Sequence, residues 1–110
     1  MIRTTLAAVA LVSGCSIGLG ETSTAASKKE FLAYESCVVG HARSFAGSPD
    51  PTDNIVKNAL ASCASQRRAL SEALVRAGVS SDGLAASLSA FDKQVFQASS
   101  RAIVEERAAH

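Results

Sequence analysis

The sequence predicts an all-α domain: an antiparallel helical hairpin stapled by one disulfide, with a third helix completing a three-helix bundle. Three observations predict it. Alanine is very frequent and prolines number only two, a composition that favours helix, as do the Leu, Glu, Arg and Gln among the other residues. Apolar residues recur at spacings of three and four, the mark of a helix with one buried face. Two cysteines, Cys37 and Cys63, lie symmetrically about a proline-containing loop.

Length and charge narrow the possibilities further. The 110 residues suffice for one domain. A domain this small buries only about 60–65% of the surface its unfolded chain exposes, so a covalent staple would matter. The formal charge is +1, from eleven basic and ten acidic residues. Nucleic-acid binding is not expected, because it calls for a basic patch or stripe. With no Trp, one Tyr and four Phe, base-stacking platforms are also scarce.

The first segment reads as an export signal. Arg3 supplies a positive charge and Leu6 to Val12 is a run of seven apolar residues, the secretory pattern. The run is too short to span a bilayer, which takes about 20 apolar residues. Val12-Ser13-Gly14-Cys15 resembles the bacterial lipobox: a branched apolar residue, two small residues, then the cysteine that is lipidated. The resemblance implies a signal peptide over 1–14, a lipid anchor on Cys15 and a tether over 15–27. Ser16, not Asp, follows the cysteine, which by resemblance to lipoprotein sorting signals implies the outer membrane. Ordinary cleavage near Ala26 is the competing site and would give a soluble periplasmic or secreted protein.

The helical domain is expected over 28–110. In the first helix Phe31, Tyr34, Val38, Ala42 and Phe45 form the apolar stripe. Ser27 and Glu30 have the spacing of a capping box. Gly47 and Pro49 mark its end, with Pro51 closing the loop. Thr52 or Asp53 is expected to cap the second helix, whose stripe is Val56, Ala59, Cys63, Leu70 and Leu74, interrupted by Arg67. Asp53–Lys57, Arg68–Glu72 and Glu72–Arg76 have the i, i+4 spacing of surface ion pairs, and Gly78 is a natural C-terminal cap. Ser80 or Ser81 should cap the third helix, where Leu84, Leu88, Phe91, Val95, Ala98 and Ala102 repeat at 4, 3, 4, 3, 4. Phe96, Ile103 and Val104 lie off this stripe and are expected to offer apolar surface to a protein partner or a second copy.

Residue 50 is the midpoint of Cys37 and Cys63 and falls in the Ser48–Pro51 loop. In a hairpin folded there the two cysteines stand level, which predicts a structural disulfide in an oxidising compartment. Ala33, Cys37, Gly40 and Ser44 form a small-residue face, so Gly40 is expected to permit close approach of the second helix. A redox-active pair would call for C-x-x-C, which is absent. In outline, "YESC" on one helix and "ALASC" on the next, behind an export signal, resemble small proteins of proteobacterial envelopes; the resemblance covers roughly Lys28 to Gly78 and implies no activity.

Chemistry-bearing motifs are few. His41 lies one turn after Cys37, so reduced Cys37 and Cys63 with His41 would offer three metal ligands, one fewer than a structural zinc site takes. C-x-x-C-H and G-x-S-x-G are both absent, and no Ser, base and acid are singled out as a catalytic set. Arg67 is expected either to snorkel at the core edge or to reach Glu30 or Glu35. His41 and Arg67 are thus the candidate ligand-binding residues, and neither a metal nor a cofactor is expected. The function these features predict is a small non-catalytic interaction module of the cell envelope; the alternative is a periplasmic small-ligand or metal-binding protein.

Overall fold

The computed structural model describes residues 27–110. The signal segment, Cys15 and the tether therefore lie outside the described residues. Within them the protein is all-α, with four helices and no strand: α1 over 27–44, α2 Thr52–Ser62, α3 Ala64–Arg76 and α4 Ser81–Ala109. Helix α4 is the third helix expected from sequence.

The expected second helix is two helices, divided at Cys63. There the backbone relaxes to φ −105°, ψ 27°. The Cys63 N–H is shared between the carbonyls of Ala59 (3.1 Å) and Leu60 (3.2 Å), and the ladder resumes where Arg67 N–H donates to Cys63 O. Such sharing is a local tightening toward 3₁₀ geometry. The three- and four-residue spacing keeps its phase from Ala59 through Cys63 to Leu70 and Leu74, with Arg67 in the stripe, which is why periodicity alone gave one helix.

The ends of the helices follow local chemistry. Ser27 is already helical and 1% exposed, so it is inside α1 and not before it. Three i→i−3 bonds over residues 42–48 wind α1 down. Pro51, not Thr52 or Asp53, stands at the N-cap of α2, without a side-chain cap bond. Its ring fixes φ near −60°, and Asp53 in the first turn complements the helix dipole. At the end of α3, Gly78 takes φ +95°. Val79 N–H reaches Leu74 O and Gly78 N–H reaches Val75 O, the paired bonds of a Schellman ending. Ser80 caps α4, its hydroxyl accepting from Gly83 N–H at 3.2 Å.

Side-chain contacts fix the directions of the helices. Cys37 meets Cys63, while His41 approaches Ser62, so α1 and the α2–α3 rod run in opposite senses. Phe31 stacks on Phe91 and Arg43 approaches Glu105, so α4 runs alongside α1 in the same sense. The core between them holds Tyr34, Val38 and Ala42 of α1, Val56 and Ala59 of α2, Leu70 of α3 and Val95 and Ile103 of α4.

Several expectations are corrected. Phe45 is 51% exposed, because α1 has ended by residue 45 and the stripe no longer faces the core. Ile103 is fully buried and Phe96 packs against the core, so of the three residues placed off the stripe only Val104 is exposed. A 29-residue helix covering two rods has a wider buried face than one stripe. Gly40 is exposed and a Cβ there would meet nothing within 4 Å, so it admits no close approach. The pairs Asp53–Lys57, Arg68–Glu72 and Glu72–Arg76 are not closed; the ion pairs among the described residues are Arg43–Glu105, Arg67–Asp92 and His110–Glu106.

Candidate functional site

The three rods meet at one polar cluster. Tyr34 follows Phe31 by three residues on the inner face of α1 and is 1% exposed. Arg67 lies one turn beyond Cys63 on α3. Asp92 lies one turn beyond Leu88 on α4. The Tyr34 hydroxyl donates to Asp92 Oδ1 at 2.7 Å. Arg67 grips the same carboxylate with two donors: Nε stands 3.0 Å from Oδ1 and Nη2 stands 2.8 Å from Oδ2. This is the bidentate fork of arginine on a carboxylate.

Each member holds the others in one protonation state. Burial pushes the Tyr34 phenol well above its usual value, and the Asp92 anion it bonds to pushes the same way. For Asp92 burial pushes upward, but the hydrogen bonds from Arg67 and Tyr34 and the charge of Arg67 outweigh it, so the carboxyl falls below its usual range. The hydrogen bond to Asp92 raises the Arg67 guanidinium despite burial. All three shifts lead away from neutrality, whereas a general acid or base works best with a pKa near the operating pH. The cluster is built to hold protons in place.

Arg67 therefore reaches neither Glu30 nor Glu35; its partner is on α4. Sequence reasoning missed Asp92, yet a signal was present. Asp92 stands one turn after Leu88 at the edge of the α4 stripe, beside Phe91, as Arg67 stands one turn after Cys63 in the stripe of α3. Two charges of opposite sign, each placed against an apolar stripe, can both be satisfied by meeting.

His41 is half-buried beside the staple. Its ring centroid lies 4.9 Å from that of Phe45, and Nε2 lies 3.4 Å from Ser62 Oγ. That hydroxyl already donates to Asn58 O at 3.0 Å. His41, Phe45, Asp50, Ile55 and Asn58 line a cleft of about 80 Å³, room for a few waters. Cys37 and Cys63 are joined as a disulfide with Cα atoms 6.1 Å apart, inside the range such a bond requires. Both sulfurs are thereby withdrawn from metal ligation, and no group of three or more potential ligands occurs among the described residues. His41 and Arg67 are not joined by any hydrogen bond or ion pair among the described residues.

A second polar contact ties the opposite end. Arg107, near the end of α4, donates to the carbonyls of Ala46 (2.8 Å), Ser48 (2.9 Å) and Asp50 (2.7 Å). It takes up carbonyls that the end of α1 and the loop leave without helical partners. The sequence gives no sign of this role, since an arginine near a helix C-terminus is ordinary dipole compensation.

Comparison of the chain with protein-family models, curated proteins and solved structures gives no match.

Proposed function

We propose that the protein is a small, exported, non-catalytic interaction module of the bacterial cell envelope, held by lipid on Cys15 to the outer membrane and facing the periplasm. The observation that carries this reading is the Cys37–Cys63 disulfide, a bond that persists in oxidising compartments and is rare in the reducing cytosol. The lipobox-like Val12–Cys15 stretch agrees with the compartment. The polar cluster adds support for a role by contact: its three groups satisfy one another and leave no proton poised for transfer. The body is a stapled hairpin with α4 laid along it, a three-rod bundle. Its solvent side exposes Leu32, Phe45, Val75 and Val104, apolar surface available to a protein partner or a second copy.

The alternative, a periplasmic small-ligand or metal-binding protein centred on His41, is weaker, because the cleft there holds little more than water and the disulfide consumes two of its three ligands.

The test is the intact mass of the protein isolated from its host after acid trapping of thiols, with and without reductant. A chain starting at Cys15 with added acyl mass is expected, gaining about 2 Da on reduction. Free thiols at Cys37 and Cys63 in the trapped sample would overturn the exported reading. Sedimentation equilibrium and cross-linking in intact envelopes test the role by contact; a strict monomer that cross-links to nothing would defeat it.

A further inference from the structure

Between the first turns of α1 and the middle of α4 lies an open cleft of about 410 Å³, lined by Ser27, Lys28, Phe31, Leu32, Phe91 and Gln94. Its floor is the Phe31–Phe91 pair, ring centroids 4.8 Å apart. Its rim is Leu32, 49% exposed. Two exposed cations, Lys28 and Lys29, precede Leu32 on the same helix. Glu35, one turn beyond Phe31, marks where the apolar stretch ends.

Aromatic and aliphatic side chains beside lysines are what an interfacial membrane contact uses. The apolar groups enter the acyl boundary while long cationic side chains reach the headgroups. The position of this face favours the same occupant. Only twelve peptide steps separate Cys15 from Ser27, at most about 40 Å of extended chain. A lipid on Cys15 would thus be joined to this end of the bundle and keep it close to the bilayer. Such a tether raises the effective concentration of the surface to the millimolar range, so that even a weak contact is populated.

We infer that Lys28, Lys29, Phe31, Leu32 and Phe91 form the face by which the anchored protein lies against an anionic lipid surface. The inference rests on the lipoprotein reading proposed above, and the test separates the two. The chain has no Trp, so Leu32→Trp introduces a single reporter. The lipidated full-length protein is placed in vesicles of phosphatidylglycerol and phosphatidylethanolamine carrying brominated acyl chains. Val75→Trp, at a 54% exposed site on α3, is the control. The indole at position 32 should be quenched and blue-shifted and the control should not. Lys28→Gln with Lys29→Gln should weaken vesicle partitioning of the unanchored Cys15→Ser chain roughly tenfold to thirtyfold, at about the known contribution of a lysine near an anionic surface. Equal quenching at the two sites, or none at position 32, overturns the inference. Should the intact mass show no acyl chain, the anchor reading falls alone. The Cys15→Ser, Leu32→Trp chain in millimolar vesicles then decides the face: quenching upholds it and its absence ends it.

Discussion

At the residue scale, the interior of this protein is organised by one tyrosine, one arginine and one aspartate. Asp92→Asn removes the charge that Arg67 grips and weakens the acceptor for a buried phenol. A loss of about 1–3 kcal/mol is expected in urea unfolding, toward the lower end because Arg67 and Asp92 are partly solvated. The pH dependence follows from the directions of the shifts. Asp92 is lowered in the folded state, so its contribution is present above the usual carboxylate pKa of about 4 and is lost as pH falls through the lower folded value. Tyr34 is raised, so its contribution is present below about pH 10 and is lost as pH climbs toward the higher folded value. Stability curves for Asp92→Asn and Tyr34→Phe should therefore converge on the wild type at the acid and alkaline ends respectively. Parallel curves at all pH values would contradict the cluster as described. Gly40 is the opposite case. It is exposed in mid-helix, without positive φ and with free space where a Cβ would go. Gly40→Ala should raise stability by roughly 0.5–1 kcal/mol; a drop in Tm would mean that the close approach expected from the sequence exists after all.

At the element scale, the links between helices are of two kinds. The covalent one closes a separation of 26 residues, and for that loop the chain-entropy relation gives about 3.5 kcal/mol. The double substitution Cys37→Ser, Cys63→Ser should lower stability by about that amount under oxidising conditions and leave little further effect of reductant. Of the noncovalent ones, the contact farthest from the Asp92 cluster is Arg107 on the loop carbonyls. With Arg107→Gln, limited proteolysis should cut within residues 45–51 sooner than in wild type, while the Arg67–Asp92 contact is undisturbed. Unchanged cutting would show that the loop is held by its own turns. These two links also mark how far sequence could go. Cys37 and Cys63 were legible because a hairpin puts residues equidistant from its turn at one level. Gly78 and Ser80 were legible because their roles are set by backbone conformation within a few residues. Arg107 was not, since its acceptors are carbonyls some sixty residues away and any arginine has the donors for them. The division at Cys63 was not, since a single relaxed residue leaves the three- and four-residue spacing intact. Pro51 displaced Thr52 and Asp53 as the cap because a fixed φ can start a helix without a side-chain acceptor.

At the scale of the whole molecule, three rods share one core, but only two of them share a covalent bond. Helix α4 is attached through the turn at Gly78 and Val79 and is otherwise held by packing, the Asp92 grip, the Arg43–Glu105 pair and the Arg107 contacts. Of the candidate site, sequence found His41 and Arg67 one at a time; it did not find the partner that gives Arg67 its place. That needed the relative direction of α4, which lies in the third dimension and not in any local pattern. The same arrangement gives the protein an uneven response to mechanical load. Pulled from both ends of the chain, α4 can peel away, and the outer half of α1 with it. The segment from Cys37 to Cys63 cannot extend while the sulfurs remain joined, and about 90 Å of contour length stays locked. Single-molecule stretching should show that length appearing only after reductant is added. A protein tethered at one end in the envelope and loaded at the other would thus yield part of its length reversibly, with the crosslinked loop as the seed on which α4 docks again.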